Sequence, residues 1–196
     1  MNVLETRNKI LEAALSNISQ FGIDGATMKK IADDCDIKSA SIYYFFKNKD
    51  ALLKDTLKIV MDRHFESQLL AYRVNESSDL LTRLESLLDN IVLYHISHPI
   101  ETSVYLHFIN HSDKHIQDAV LNYQYEYGNW LKNILYEDYI KDENSDLLDE
   151  YKKIIDMFIL LANGLFWETV LYSEEELDYQ IELAKELIRL AYKKLN

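Results

Sequence analysis

The chain has 196 residues, of which 48% are hydrophobic, and it carries a net charge of −12. This hydrophobic content excludes a disordered chain, and the length suffices for one sizeable core or two modest ones. Only four glycines and one proline interrupt a pattern of apolar residues whose period is helical throughout, so we predict an all-α fold.

The compartment is indicated by three further features. The single cysteine, Cys35, cannot form an internal disulfide, and residues 1–10 lack the apolar segment of a signal peptide. The longest apolar run, residues 157–162, is far shorter than a bilayer requires. We therefore expect a cytoplasmic protein that makes no contact with a membrane.

Residues 25–52 have the pattern of two short helices joined by a tight turn. Thr27 is a residue type that caps helix N-termini, and the apolar positions that follow it recur at helical spacing: Met28, Ile31, Ala32 and Cys35. Asp36 favours a turn, and a second helix is predicted from Ser39 to about Phe46. One side of this second helix is apolar and is expected to point inward, through Ile42, Phe45 and Phe46.

The opposite side of the second helix carries Ala40, Ser41, Tyr43, Tyr44 and Lys47. Small residues allow a helix backbone to approach a DNA groove, and hydroxyls and lysines bond phosphate oxygens. Ser41, Tyr43 or the methyl group of Ala40 can touch base edges. The pattern therefore predicts binding of double-stranded DNA.

The first quarter of the chain resembles the TetR family of bacterial transcriptional regulators. The matching motifs are Ile10-Leu11-Glu12-Ala13-Ala14 with Phe21-Gly22, Thr27-Met28-Lys29-Lys30-Ile31-Ala32, and the run from Ile42 to Leu52. The resemblance implies that Thr27 and Lys29 touch backbone phosphate, that Ser39 to Ser41 and Tyr43 lie in the major groove, and that Tyr44 and Lys49 grip phosphates. The chain departs from the common pattern at Lys38 and Phe45. The full set of predicted DNA-binding residues is Thr27, Lys29, Lys38, Ser39, Ala40, Ser41, Tyr43, Tyr44, Lys47 and Lys49.

The charge is distributed unevenly, which reconciles an acidic protein with DNA binding. Residues 1–50 hold seven basic and seven acidic residues, so the rest of the chain accounts for the whole net charge of −12. Residues 27–49 alone have a net charge of +2. We expect this asymmetry to orient the N-terminal end toward phosphate.

Beyond residue 48 the chain divides into long amphipathic segments. Helices are predicted for residues 49–73, 80–97, 100–111, about 113–140, 147–172 and 175–195, with polar segments at 75–79 and 141–146. With the three N-terminal helices this gives about nine. We predict a helix-turn-helix DNA-binding domain at residues 1–48, and a larger helical effector-binding and dimerisation domain at residues 49–196.

The last two helices are apolar on more than one face, so each needs two neighbours. We expect them to pair with their two-fold copies as an intermolecular four-helix bundle, in which Gly164 allows close approach. The predicted interface residues are Phe166, Val170, Ile181, Ala184 and Ile188. The TetR resemblance implies the same homodimer, whose two recognition helices would read a palindromic operator.

Aromatic residues at helical spacing in the middle of the chain indicate a pocket for a small-molecule effector. The predicted lining residues are Tyr94, Tyr105, Phe108, Tyr123, Tyr127, Trp130 and Phe158. We expect a ligand-responsive regulator, a repressor by resemblance, that leaves its operator when the effector binds.

Two alternatives remain at this point. His95 and His98, or His107, His111 and His115, have spacings that chelate zinc on a continuous helix, which would make the protein a metal-responsive regulator. We predict neither metal nor cofactor, because a new helix is expected to start between His111 and His115. An all-helical enzyme is the other alternative, although the sequence contains none of the common glycine-loop, nucleophile-elbow or metal-binding motifs, and we predict no enzymatic activity.

Overall fold

The computed structural model describes residues 2–74, 78–139 and 145–193. These residues form nine helices, in agreement with the predicted all-α fold. The helices are α1 (Val3–Gly25), α2 (Met28–Asp34), α3 (Ser39–Phe45), α4 (Lys49–Val74), α5 (Leu80–Ser97), α6 (Pro99–Ile109), α7 (Lys114–Tyr139), α8 (Ser145–Leu171) and α9 (Glu174–Tyr192).

The helices pack into two compact units. Unit 1 comprises Met1–Arg63 and His98–Tyr123, and unit 2 comprises His64–Ser97 and Gln124–Asn196. Helices α4 and α7 therefore contribute residues to both units. The predicted domains, residues 1–48 and 49–196, are defined by function and not by packing. Their boundary stays a prediction.

Unit 1 is built around α1, which packs against α2 and α6, while α2 packs against α3. Its core is a set of fully buried aliphatic and aromatic side chains, among them Ile10, Leu15, Ile18, Ile31, Ile42, Phe46, Leu57 and Phe108. Gly22 interrupts α1 with a φ of 71°, a left-handed conformation that favours glycine. The chain turns there before it reaches α2.

Unit 2 is built from α5, α8 and α9, which contact one another, with parts of α4 and α7. Its core includes Leu84, Leu87, Ile155, Phe158 and Ile188. Ion pairs also join α9 to α5, from Arg189 to Glu85 at 2.6 Å and from Lys185 to Asp89 at 2.5 Å.

The helix ends differ from the predicted ones by a few residues. α9 begins at Glu174, because Ser173 and Glu176 form a capping box in which the Glu176 carboxylate accepts from the Ser173 N–H at 3.0 Å. Within the predicted polar segments, residues 75–77 and 141–144 lie outside the described residues, and Ser145 already belongs to α8.

Helix α8 is, over Asp149–Leu171, long and apolar enough to cross a membrane by length and composition alone. A core helix of a protein that never meets lipid passes the same test. α8 buries Ile155, Phe158 and Leu165 in the core of unit 2. The expectation of no membrane contact stays a prediction.

Candidate nucleic-acid interface

The first helix of the predicted hairpin, α2, begins at a capped N-terminus. The Thr27 hydroxyl oxygen accepts a hydrogen bond from the Lys30 N–H at 3.2 Å. The inward side of α2 is formed by three buried residues, as their helical spacing predicts: Met28, Ile31 and Ala32. The Thr27 hydroxyl hydrogen is not used by the cap, so this side chain can hold the helix and still donate to another acceptor.

The turn after α2 is centred on Asp36, which has a φ of 56°. The Ile37 N–H donates to the Ala32 carbonyl and the Asp36 N–H to the Asp33 carbonyl, both at 3.1 Å. This pair of bonds is a Schellman motif, which usually places glycine where Asp36 stands. Aspartate tolerates the left-handed conformation better than most residues, and the predicted turn at Asp36 is confirmed.

Helix α3 buries the side that the sequence predicted. Ile42 is 0% exposed and Phe46, just past the helix end, is 2% exposed, while the half-buried Phe45 packs against the same core. Successive positions of a helix differ by 100°, so burial of these residues directs the intervening ones outward.

The opposite side of α3 is open to solvent. Tyr43 is 54% exposed and Tyr44 77%, and Ala40, Ser41 and Lys47 are also exposed. The Tyr44 ring is steadied by an edge contact with Phe45, with ring centroids 5.2 Å apart. Exposure of small, hydroxyl and cationic side chains on one helix face is what insertion into a major groove requires.

The N-terminus of α3 lacks a side-chain cap. Lys38 occupies the cap position in an extended conformation without a side-chain hydrogen bond, and Ser39 is half-buried. Lys38 itself is exposed. Lys38, where the chain departs from the common pattern, therefore provides no side-chain cap for α3.

The lysines around the hairpin differ in solvent exposure and in their contacts within the protein. Lys29 is exposed, whereas the ammonium of Lys30 lies 4.2 Å from the centre of the Phe21 ring. Lys49 is half-buried, and its ammonium donates to the Asp24 carbonyl at 3.4 Å. An ammonium has three donors, so this bond leaves Lys49 able to bind a phosphate as well.

The predicted effector residues are divided between the two units. Tyr105, Phe108 and Tyr123 belong to unit 1, where Phe108 is buried in the core and the two tyrosines pack against it. Tyr94, Tyr127, Trp130 and Phe158 belong to unit 2, where Phe158 is part of the core. The assignment of all seven to one effector pocket stays a prediction.

In unit 2 an aromatic cluster surrounds His64, a residue that is not among the predicted effector residues. The rings of Tyr94, His95 and Tyr127 have centroids 5.2, 5.2 and 5.3 Å from that of His64. Burial lowers the pKa of His64 to about 4 and raises the pKa of the Tyr127 phenol. His64 is therefore neutral at pH 7.

A sequence signal for His64 exists. Leu53, Leu57 and Val60 continue at helical spacing into His64 and Gln68, so two polar residues occupy the apolar stripe of α4. Polar residues at core positions of an amphipathic helix are unusual and frequently functional.

The predicted dimer residues need a correction. Ala184 and Ile188 are 4% and 0% exposed, because α9 turns this side toward the core of its own unit, and neither reaches the surface. Val170 is exposed, and Phe166 and Ile181 are half-buried.

Exposed apolar residues on α8 and α9 form two stripes at helical spacing. The α8 stripe consists of Leu160, Gly164, Trp167 and Leu171, and the α9 stripe of Tyr179, Leu183, Leu187 and Leu190. A Cβ added to Gly164 would meet nothing within 4 Å. Apolar stripes of this length are typical of surfaces that a partner covers.

The histidines do not share one helix. α6 ends at Ile109 and α7 begins at Lys114, so His111 lies between them, and the predicted start of a helix after His111 is confirmed. The His111 Nδ1 accepts from the Asp113 N–H at 3.1 Å. Over residues 2–74, 78–139 and 145–193, no three His, Cys, Asp or Glu side chains are grouped so that they could hold a metal.

The fold and the exposed α3 face define an all-helical protein with an N-terminal helix-turn-helix. Residues 10–56 match the family described as bacterial regulatory proteins, tetR family. The match covers the N-terminal segment that contains α2 and α3, and this segment is similar to the DNA-binding segment of that family.

Individual proteins are similar to this chain in part of the sequence or in fold. The chain is 35% identical over 65 residues to the tetracycline repressor protein class D of Escherichia coli, a match that covers 33% of this chain and 30% of the relative. A proposed TetR-family regulator from Rhodococcus sp. has a similar fold, with a TM-score of 0.72 at 17% identity over 96% of this chain and 99% of that one. FadR of Bacillus subtilis, solved in complex with stearoyl-CoA, gives 0.66 at 19% identity over 94% and 96% of the two chains.

Proposed function

We propose that this protein is a transcriptional regulator that binds double-stranded DNA through the exposed face of α3. The single observation that carries the proposal is the solvent exposure of Ala40, Ser41, Tyr43 and Tyr44 on a helix whose other side is buried. A helix held in this way by a capped partner helix and a tight turn is the reading element of helix-turn-helix proteins.

Two groups of residues have different roles in this proposal. Ser39, Ala40, Ser41 and Tyr43 face base edges in the major groove and supply sequence preference. Thr27, Lys29, Lys38, Tyr44, Lys47 and Lys49 bind phosphates and set the position of the helix on the duplex. Residues 27–49 have a net charge of +2, whereas the whole chain has −12. This difference supports an orientation in which the N-terminal hairpin faces the DNA phosphates.

The regulator acts as a homodimer through α8 and α9. The exposed α8 and α9 stripes support this part of the proposal, because a second copy would remove both from water. Two recognition helices related by a two-fold axis read a palindromic operator whose half-sites are roughly 34–36 Å apart. The same apolar surface can then be explained without a membrane, and we propose that the protein works in the cytoplasm.

We further propose that the protein is a repressor and that a small-molecule effector releases it from its operator. In this proposal the protein is a regulator and not an enzyme. The names of two similar proteins, a tetracycline repressor and FadR in complex with stearoyl-CoA, are consistent with control by small molecules. An effector held by α4 in unit 2 favours a conformer in which the recognition helices no longer match the operator spacing. Effector and operator then weaken each other's binding by the same factor.

The proposal is tested by fluorescence anisotropy with the DNA that flanks the protein's own reading frame. Tyr43→Ala should reduce affinity at least tenfold and relax preference at particular base pairs. Tyr125→Ala is a matched control, since Tyr125 is also an exposed tyrosine (70%) but lies on α7. Equal affinity of the two variants, or no binding by the wild type, would overturn the proposal.

A further inference from the structure

Helix α4 carries two buried polar side chains whose hydrogen-bonding atoms have no partner. Gln68 is 0% exposed, and neither its amide oxygen nor its amide nitrogen is hydrogen-bonded. The Nε2 atom of His64 is also buried and unpartnered. Unpaired buried polar groups destabilise a fold and are rare in native interiors, so these three atoms require an explanation.

Neighbouring polar groups on the same stretch of α4 are paired. The Asn90 amide donates to the Ser67 hydroxyl at 3.1 Å, which joins α4 to α5, and the Tyr72 hydroxyl donates to the Ile134 carbonyl at 3.2 Å, which joins α4 to α7. The lack of partners at His64 Nε2 and at the Gln68 amide is therefore not shared by these neighbouring side chains of α4.

His64 and Gln68 are four residues apart, so they lie one above the other on one face of α4 with Cβ atoms roughly 5–6 Å apart. The surroundings of His64 are aromatic. The rings of Tyr94, His95 and Tyr127 surround His64, and Phe65 packs on Trp130 with ring centroids 4.3 Å apart. Aromatic walls with a few convergent polar groups are typical of sites for flat organic ligands.

The two polar side chains of this pair are uncharged at pH 7. Burial lowers the pKa of His64 to about 4, and glutamine does not ionise. An ionised ligand would lose its hydration here without gaining an opposite charge. The Gln68 amide offers a donor next to an acceptor, which matches the acceptor and donor of another amide.

We propose that Gln68, with His64, is the polar anchor of the effector site, and that the effector is an uncharged planar aromatic compound bearing a carboxamide or lactam. The Gln68 side chain pairs with the amide edge of the ligand, and His64 Nε2 takes a second polar group of it. The regulatory meaning of this site rests on the proposed function, whereas ligand binding itself does not.

The probe is 2-naphthamide, compared with 2-naphthoate, which has the same shape and a negative charge, and titrated calorimetrically into the full-length protein without DNA. We expect 2-naphthamide to bind at least tenfold more tightly than 2-naphthoate. Gln68→Leu should weaken 2-naphthamide binding at least tenfold. It should also raise the Tm of the ligand-free protein by about 2–4 °C, because an unpaired amide is replaced by an apolar group of similar size.

Asn17→Leu is the matched control. Asn17 is a buried amide side chain in unit 1 whose Nδ2 donates to the Ala13 carbonyl at 2.8 Å and to Asp34 at 2.6 Å. Its replacement should lower the Tm and leave 2-naphthamide binding unchanged. A lower Tm for Gln68→Leu would mean that the amide stabilises the fold, and this result would overturn the inference. Equal binding of 2-naphthamide and 2-naphthoate, or no binding of either, would also overturn it.

Operator binding is measured separately on the same samples. Binding of 2-naphthamide by a protein that ignores DNA would contradict the proposed function and support this site. DNA binding without 2-naphthamide binding would support the proposed function and contradict this site.

Discussion

Arg63 in α4 donates a hydrogen bond of 2.9 Å to Glu101 in α6, and its other terminal nitrogen donates to Glu12 in α1. One guanidinium thus joins three helices of unit 1. The Glu101 side chain is only 14% exposed, so its carboxylate depends on this partner more than a surface carboxylate would.

Arg63→Met should lower the free energy of unfolding by about 1–3 kcal/mol, because it leaves a largely buried carboxylate unpaired. Urea denaturation measures the change. Lys58→Met is the control, since Lys58 pairs with Asp62 at 2.5 Å on the surface and should contribute little. Equal changes in the free energy of unfolding for the two substitutions would show that Arg63 does not stabilise the contact between α1, α4 and α6.

The stability of the protein should depend on the titration of His64. The folded-state pKa of about 4 lies below the ordinary value of 6.5, so the unfolded chain binds more protons between these limits. Stability should therefore fall as the pH falls from about 6.5 to about 4, by about 3 kcal/mol from this residue. His64→Phe should remove that part of the pH dependence in chemical denaturation at a series of pH values, and an unchanged profile would contradict the assignment.

Asp36→Gly should stabilise the protein by about 0.5–1 kcal/mol, because glycine adopts the left-handed conformation of the turn without steric cost. The ion pair between Lys9 and Asp36 is 3.6 Å long and Asp36 is 91% exposed there, so little is lost with it. Thermal denaturation measures the effect. A decrease in Tm would indicate that the aspartate side chain contributes to the turn.

The hairpin was largely predictable from sequence because its information is local. The helical spacing of Ile42 and Phe46 fixed which side of α3 is buried, and the residue types of Thr27 and Asp36 fixed the cap and the turn. Each of these features depends on residues within one or two turns of the chain.

The site in unit 2 was less accessible to sequence reasoning because it depends on which helices pack together. Aromatic periodicity selected Tyr105 and Tyr127 alike, yet the two belong to different units. Likewise, periodicity identifies the apolar faces of α9 but not the helices that cover them. The prediction therefore places Ala184 and Ile188 in a dimer interface, whereas their own subunit buries both.

Gly164 offers a test of the proposed dimer. A Cβ at Gly164 or at Gly128 would meet nothing within 4 Å, so alanine at either position should stabilise its helix by about 0.5–1 kcal/mol. Only Gly164→Ala should weaken self-association, at least tenfold in sedimentation equilibrium, because close helix approach in the dimer excludes the added methyl group. Equal self-association of the two variants would exclude the α8 stripe from the interface.

The proposed function depends first on entry of the exposed face of α3 into a DNA duplex. The most direct measurement is the operator affinity of Ser41→Glu against that of Ser112→Glu, since both replace an exposed serine of unit 1 with a carboxylate but only the first lies on α3. We expect at least a hundredfold loss for Ser41→Glu, a small loss for Ser112→Glu and an unchanged Tm for both. Undiminished affinity of Ser41→Glu would show that the exposed face of α3 does not enter the duplex.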